Sequence, residues 1–212
     1  MIDKMKYNTI IDIGCGSGSL YKNIIEANIS FEKFIALDFS REMLDIHPSS
    51  SKIEKLCLDF NHPKSFEQLK KREYVLVVSS SSLQWSRDLD MTLKEISQLS
   101  KSSYLSFFTD RTFATLHRVA DIKSPIYSEE SIRTMVEKYY NCSFETVEYR
   151  LSFDTVHQMF QYIKRSGVSG GERKLSYKQM REVMKNYPLE YLEFEVLFVV
   201  GSVKTDQIFN RP

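Results

Sequence analysis

Over the first two-thirds of the chain, short apolar or β-branched runs alternate with amphipathic stretches, the pattern of repeated βαβ units and hence of a parallel sheet covered by helices. The runs predict strands at Tyr7–Ile13, Lys33–Leu37, Ile53–Leu58, Tyr74–Val78 and Ser103–Phe108, with helices after most of them. Beyond Thr109 the alternation weakens. There Arg111–Ala120 and Glu129–Tyr140 read as helices and Cys142–Phe153 as a further strand. Two more helices, about Thr155–Lys164 and Ser176–Asn186, are parted by SGVSGGERK, whose glycines and serines break a helix. The closing EYLEFEVLFVVGSV becomes continuously apolar, as a strand inside a sheet does. The pattern predicts one domain over 1–208, with a βαβ core at 1–109, a mainly helical region at 110–188 and a final strand at 189–203.

Composition narrows the function classes. A chain of 212 residues with 42% hydrophobic and 27% charged residues can build one ordinary core and is not a disordered or low-complexity chain. Twenty-nine basic against 28 acidic residues leave a net charge of +1, so no whole-molecule field draws it to nucleic acid or a membrane. The longest apolar runs, such as Val196 to Val200, are short, and Met1 is followed by charged residues rather than a signal-peptide core; a soluble, cytoplasmic monomer is expected. Cys15, Cys57 and Cys142 lack metal-ligand spacing, so neither a metal site nor a disulfide framework is expected.

Candidate chemistry begins at TIIDIGCGSG. Gly14, Gly16 and Gly18 follow an apolar strand and precede a helix starting near Ser19, so the backbone can turn tightly and a ligand can approach main-chain atoms and free helix N–H groups. Dinucleotides and S-adenosylmethionine both use such a turn. Asp12 separates them, since a carboxylate two residues before Gly14 suits an ammonium group and repels a pyrophosphate. The spacing also departs from GxGxxG, which needs glycine where Ser19 stands. Asp38, ending the second strand in ALDFSREML, is placed to accept ribose hydroxyls or to cap the next helix. Asp59 in CLDF, or its neighbours' backbone, is placed to meet an adenine amino group, with Phe39, Met43 and Phe60 available to cover the adenine. These residues converge at successive strand ends, where open α/β sheets bind ligands.

Together IDIGCGSG, ALDFSREML and CLDF resemble the class I S-adenosylmethionine-dependent methyltransferases, and the resemblance implies a Rossmann-like α/β fold with a seven-stranded, mostly parallel sheet whose last strand is antiparallel. VVSSSSLQW, YLSFFTDRTFATLH, MFQYIKRSGVSGGERKLSYKQMREVMKNYP and EYLEFEVLFVVGSV are similar to the malonyl-acyl-carrier-protein O-methyltransferases of biotin synthesis, the BioC family. Ser79, Gln84 and Trp85 match its strand-four end, and Ile163, Lys164 and Gly167 its IK-x-x-G helix end. The resemblance implies methyl transfer from S-adenosylmethionine, yielding S-adenosylhomocysteine, to the free carboxylate of a malonyl group on acyl carrier protein. It places Ser79 near the methionine part of the cofactor. Gln84, Trp85 and Lys164, with Arg111 and Arg165 as further candidates, are expected to position substrate. A lid helix precedes the glycine loop in that family, whereas here only Met1 to Thr9 precede Ile10, which implies a truncated chain or a lidless branch with weaker cofactor affinity.

A carboxylate is already ionised at neutral pH, so no general base is expected, only alignment and exclusion of water. An acidic carrier requires a basic docking surface. Lys164, Arg165, Arg173, Lys174, Lys178 and Arg181, with Lys185, supply one within a near-neutral chain. The alternatives are a methyltransferase of another small carboxylate and a protein that binds the cofactor with little turnover alone; a nicotinamide dehydrogenase is disfavoured by Asp12 and the glycine spacing.

Overall fold

The computed structural model describes residues 7–70, 74, 76–166 and 176–204. Seven strands, β1 (Tyr7–Ile13), β2 (Phe31–Asp38), β3 (Ile53–Cys57), β4 (Leu76–Ser80), β5 (Ser102–Phe108), β6 (Tyr140–Ser152) and β7 (Tyr191–Val203), form one sheet in the order β3-β2-β1-β4-β5-β7-β6. The pairs β1–β2, β1–β4, β2–β3 and β4–β5 are parallel. Thr109 N–H donates to the Glu195 carbonyl and Val203 N–H to that of Lys101, so β7 runs against β5; the bonds Phe153 to Glu190 and Lys204 to Tyr139 set it against β6 as well. The expected antiparallel last strand is therefore present. Strand order reverses between β1 and β4, the crevice where open sheets place ligands.

Helices α1 (Ser19–Glu26), α2 (Arg41–Ile46), α3 (Pro63–Leu69) and α4 (Leu89–Ser97) follow the first four strands, and α5 (Ala114–Val119), α6 (Glu129–Tyr139), α7 (Val156–Ser166) and α8 (Tyr177–Asn186) complete the chain. Local chemistry sets their starts. Ser40 and Asp88 accept from the N–H groups of Met43 and Met91, Pro63 opens α3, and Ser176 with Gln179 forms a capping box at α8. A 3-10 turn over Leu83–Trp85, with no counterpart among the sequence expectations, follows β4.

The chain divides into two compact units, Met1–Phe107 with Glu130–Glu145 and Phe198–Pro212, and Phe108–Glu129 with Thr146–Leu197. In the first, Ile10, Phe34, Leu76 and Val78 of the central strands pack with Ile24 of α1 and Leu44 of α2. Burying such side chains contributes about 1.5–3 kcal/mol each. In the second, Phe194 packs edge-on against Phe113 and face-on against Tyr149, beside Met159 and Ile163 of α7. This unit takes in the second part of β6 and the first part of β7, so it is not helical throughout. No described helix is long and apolar enough to cross a membrane.

Candidate functional site

The glycine loop leaves β1 through a turn that three positive-φ residues make, Gly14 at 75°, Gly16 at 52° and Gly18 at 86°. Gly14 and Cys15 donate to the Leu37 carbonyl at 2.8 and 2.9 Å, fastening the loop to the end of β2. A Cβ at Gly14 would strike Ser82, and one at Gly18 would lie 2.7 Å from the His47 ring and from Pro48. At Gly16 it would meet nothing within 4 Å, so this is where the loop backbone opens to a ligand. Gly18 also stands at the N-cap of α1, which no described side chain caps.

Asp38 closes the loop from the other side. Gly16 N–H donates to its Oδ2 at 2.8 Å and Ser40 N–H to its Oδ1 at 2.9 Å. Ser40, not Asp38, caps α2, and Asp38 instead fixes the Ser40 and Gly16 backbone, while a carboxylate with about four lone-pair sites keeps acceptors for hydroxyls. Asp12 is only 1% exposed and neither carboxylate oxygen has a hydrogen-bond partner among the described residues. Burial first, and Asp38 second, push its pKa up to about 8. Such a group calls for a ligand cation. Cys15 is buried beside these two acids, and desolvation together with their charges raises its thiol pKa; it is an inert loop residue.

The end of β4 supports the same loop. Ser79 and Ser82 hydroxyls lie 2.7 and 2.8 Å from the Ile13 carbonyl and 2.8 Å from each other. The Ser79 side chain thus ties β4 to β1, and any contact with the cofactor falls to its backbone. Gln84 is 2% exposed and donates through Nε2 to the Ser81 carbonyl at 2.6 Å, while Trp85 is half-buried at the end of the 3-10 turn. Asp59 Oδ1 accepts from the Asn61 backbone and side-chain amide groups at 2.8 and 3.1 Å, which leaves backbone groups at β3's end to meet an adenine. Phe60 is buried near Gly14, and Phe39 and Met43 are 70% and 42% exposed, apolar surface that a flat ring would cover.

The remaining expected residues lie in the second unit. Lys164 and Arg165 are exposed near the end of α7, and Lys178, Arg181 and Lys185 are exposed on α8; Arg173, Lys174 and Gly167 lie outside the described residues. Arg111 Nη1 reaches Glu195 at 3.3 Å and Glu148 at 3.7 Å on the rim of an open depression of about 580 Å³ floored by Tyr149 and Phe194. Glu195, buried inside an apolar strand and bonded to Thr109 Oγ1 at 2.5 Å, was not singled out by sequence reasoning; two acids at alternate positions of that strand, Glu193 and Glu195, are the signal that marks it.

A glycine loop at the switch point, an acid at the end of β2 and a buried acid without a hydrogen-bond partner among the described residues fit the class I methyltransferase fold, whose cofactor is S-adenosylmethionine. Comparison with known proteins agrees: residues 11–103 match the family described as "Methyltransferase domain". The chain is similar to a malonyl-[acyl-carrier protein] O-methyltransferase of Chlorobium luteolum, 28% identical over 181 residues covering 79% of this chain, and to one of Acetivibrio thermocellus, 29% identical over 122 residues covering 55%. It spans 66% and 41% of the length of these relatives. Among solved structures, the YcgJ protein of Bacillus subtilis superposes with a TM-score of 0.64 over 93% of this chain and 92% of its own at 12% identity, a likeness of fold. These likenesses make the chain similar to the BioC-type class I methyltransferases.

The residues present fit the cofactor. Asp12 offers an unpaired buried carboxylate for a cationic group, Gly16 offers open backbone, Asp38 offers acceptors, and Phe39, Met43 and Phe60 offer apolar cover.

Proposed function

We propose that this protein methylates the free carboxylate of a malonyl group carried on an acyl carrier protein, converting it to the methyl ester. The observation that carries the cofactor half of this reading is Asp12, a buried acid with no hydrogen-bond partner among the described residues, directly before the glycine loop. The substrate half is supported by the likeness to two malonyl-carrier methyltransferases. When bound, S-adenosylmethionine supplies an electrophilic methyl group on a sulfonium. The chain's own task is then to bind, orient and dry the site. Asp12 holds the cation, Asp38 and the loop fix the ribose end, and Phe39, Met43 and Phe60 shield the adenine. Trp85, half-buried after β4, sets the acceptor, and Gln84, buried and bonded to the Ser81 carbonyl, does not touch it. The acceptor oxygen needs no base, because its proton left in bulk water. Arg111 suits a carboxylate holder of moderated strength, since Glu195 already draws part of its charge and an ester leaves such a site readily.

Asp12 gives the reading a pH signature. Its folded pKa of about 8 lies above the ordinary 3.8, so the stability linked to it is fullest below 3.8 and falls as pH rises through 8. A ligand cation reverses the preference by favouring the ionised form. S-adenosylhomocysteine affinity is therefore expected to rise several-fold from about pH 6 to about pH 8, with Asp12→Asn flattening the rise; calorimetry at each pH checks it, and a flat wild-type profile contradicts it.

The carrier is placed on the basic face of α7 and α8. On α8, Lys178, Arg181 and Lys185 fall within one helical stripe opposite the buried Val183, and Lys164 and Arg165 stand exposed on α7. Arg173 and Lys174, expected on sequence to join them, lie outside the described residues. Such charge complementarity orients and accelerates encounter. Reversing Lys178 and Arg181 to glutamate is expected to raise KM for the carrier-bound substrate about tenfold while changing that for a free malonyl thioester less than about twofold; equal changes remove the docking surface. The reaction itself is tested with methyl-labelled cofactor. Label on the malonyl group that mild base releases as methanol, as from a methyl ester, supports the proposal, and base-stable label contradicts it.

A further inference from the structure

The turn after β4 holds a polar arrangement that strand packing alone does not require. Ser81 is one of the few non-glycine residues with positive φ, at 53°. Its N–H donates to the Ser106 carbonyl at 2.9 Å, and its own carbonyl accepts from Gln84 Nε2 at 2.6 Å. A residue with a Cβ persists in that conformation only where its surroundings fix it. Gln84 is almost fully buried, and its Oε1 has no hydrogen-bond partner among the described residues. A buried amide with one unanswered oxygen costs stability relative to an apolar side chain of the same shape, so the bond its nitrogen makes accounts for its presence better than packing does.

That bond leads to the cofactor loop in two steps. Ser82, directly after the constrained residue, places its hydroxyl 2.8 Å from the Ile13 carbonyl, and its Cβ and Oγ occupy the space that a side chain at Gly14 would need. The position of Ser82 therefore sets where β1 ends and where the glycine loop begins. We propose that Gln84 is a positioning residue that holds the glycine loop in its ligand-ready form by fixing the left-handed Ser81 turn. The inference rests on the assignment of that loop to S-adenosylmethionine, and it gives the expected site residue Gln84 a task exerted through the backbone.

The test uses Gln84→Met, which keeps the side chain's length and removes the donor, alone and combined with Ser81→Gly, which adopts positive φ without a restraint. Two readouts are taken on the full chain. By hydrogen exchange without ligand, the Gly14 and Cys15 amides, both bonded to the Leu37 carbonyl, are expected to exchange about tenfold faster in Gln84→Met and to regain protection in the double variant, while the Phe34 amide in β2 keeps its rate. By calorimetry, S-adenosylhomocysteine affinity is expected to fall about tenfold in Gln84→Met and to return to within about threefold of wild type in the double variant. Gln84→Asn, whose amide is drawn back by one methylene, serves if Gln84→Met does not fold. Unchanged loop exchange, or a loss that Ser81→Gly does not reverse, overturns the proposal. Absence of S-adenosylhomocysteine binding in the wild type strikes the cofactor assignment instead, and the exchange data still decide the role of Gln84.

Discussion

Asp38→Ala is expected to weaken S-adenosylhomocysteine binding by about a hundredfold, because hydrogen bonds to a charged acceptor contribute about 1.5–3 kcal/mol each and this carboxylate accepts two from the backbone. The bond from Gly16 holds the most open part of the loop, and the bond from Ser40 sets the start of α2, which carries Met43. Losing both loosens the loop and the apolar cover together. Asp38→Asn keeps one carbonyl acceptor, so its loss should be intermediate, about tenfold. Calorimetric titration of the two variants checks the order, with thermal melts confirming that each is folded. Affinity within about threefold of wild type for Asp38→Ala would mean that the loop is held by other bonds.

The second large effect separates glycines that look alike in sequence. Gly14→Ala puts a Cβ into Ser82 at a φ of 75°, whereas Gly16→Ala meets no atom within 4 Å and bears only the penalty of its positive φ. The left-handed conformation costs about 1–2 kcal/mol for a residue with a Cβ, and overpacking adds about 1–3 kcal/mol. Gly14→Ala should therefore destabilise the ligand-free protein by about 2–5 kcal/mol and Gly16→Ala by about 1–2 kcal/mol, as read by urea unfolding. Binding should reverse the impression given by stability: Gly16→Ala remains well folded yet is expected to lose most affinity, because its methyl group enters open space where the proposed cofactor would lie. Equal destabilisation by the two substitutions contradicts the packing seen at Gly14.

The centre of the sheet was legible because β1, β2 and β4 are largely buried on both faces and so read as apolar runs. β1 falls where the pattern places it, Tyr7–Ile13, and β7 within EYLEFEVLFVVGSV. At β4 the apolar run Tyr74–Val78 gives way to a strand over Leu76–Ser80, displaced toward the serines. The periodicity misses it because Ser79 satisfies its hydroxyl inside the sheet on the Ile13 carbonyl, so a polar letter hides a buried strand position. The turn after β1 was legible because its backbone conformation demands glycine at Gly14, Gly16 and Gly18. What the pattern did not reveal is the support beneath them. Ser80 to Ser82 read as a plain turn, and nothing in four consecutive serines shows that Ser82 fills the space under Gly14 or that Gln84 fixes Ser81. These are contacts between segments far apart in the chain, and neither propensity nor periodicity carries them. The same holds for Glu195, whose partners Thr109 and Arg111 come from the opposite side of the sequence.

Methylation of a malonyl carboxylate is read out by intact-mass analysis. The purified chain is incubated with S-adenosylmethionine and malonyl-acyl carrier protein, with acetyl-acyl carrier protein, which lacks the free carboxylate, alongside. One methyl increment is expected on the malonyl species and none on the acetyl species. An increment on both, or on neither while S-adenosylhomocysteine binding is intact, would contradict it.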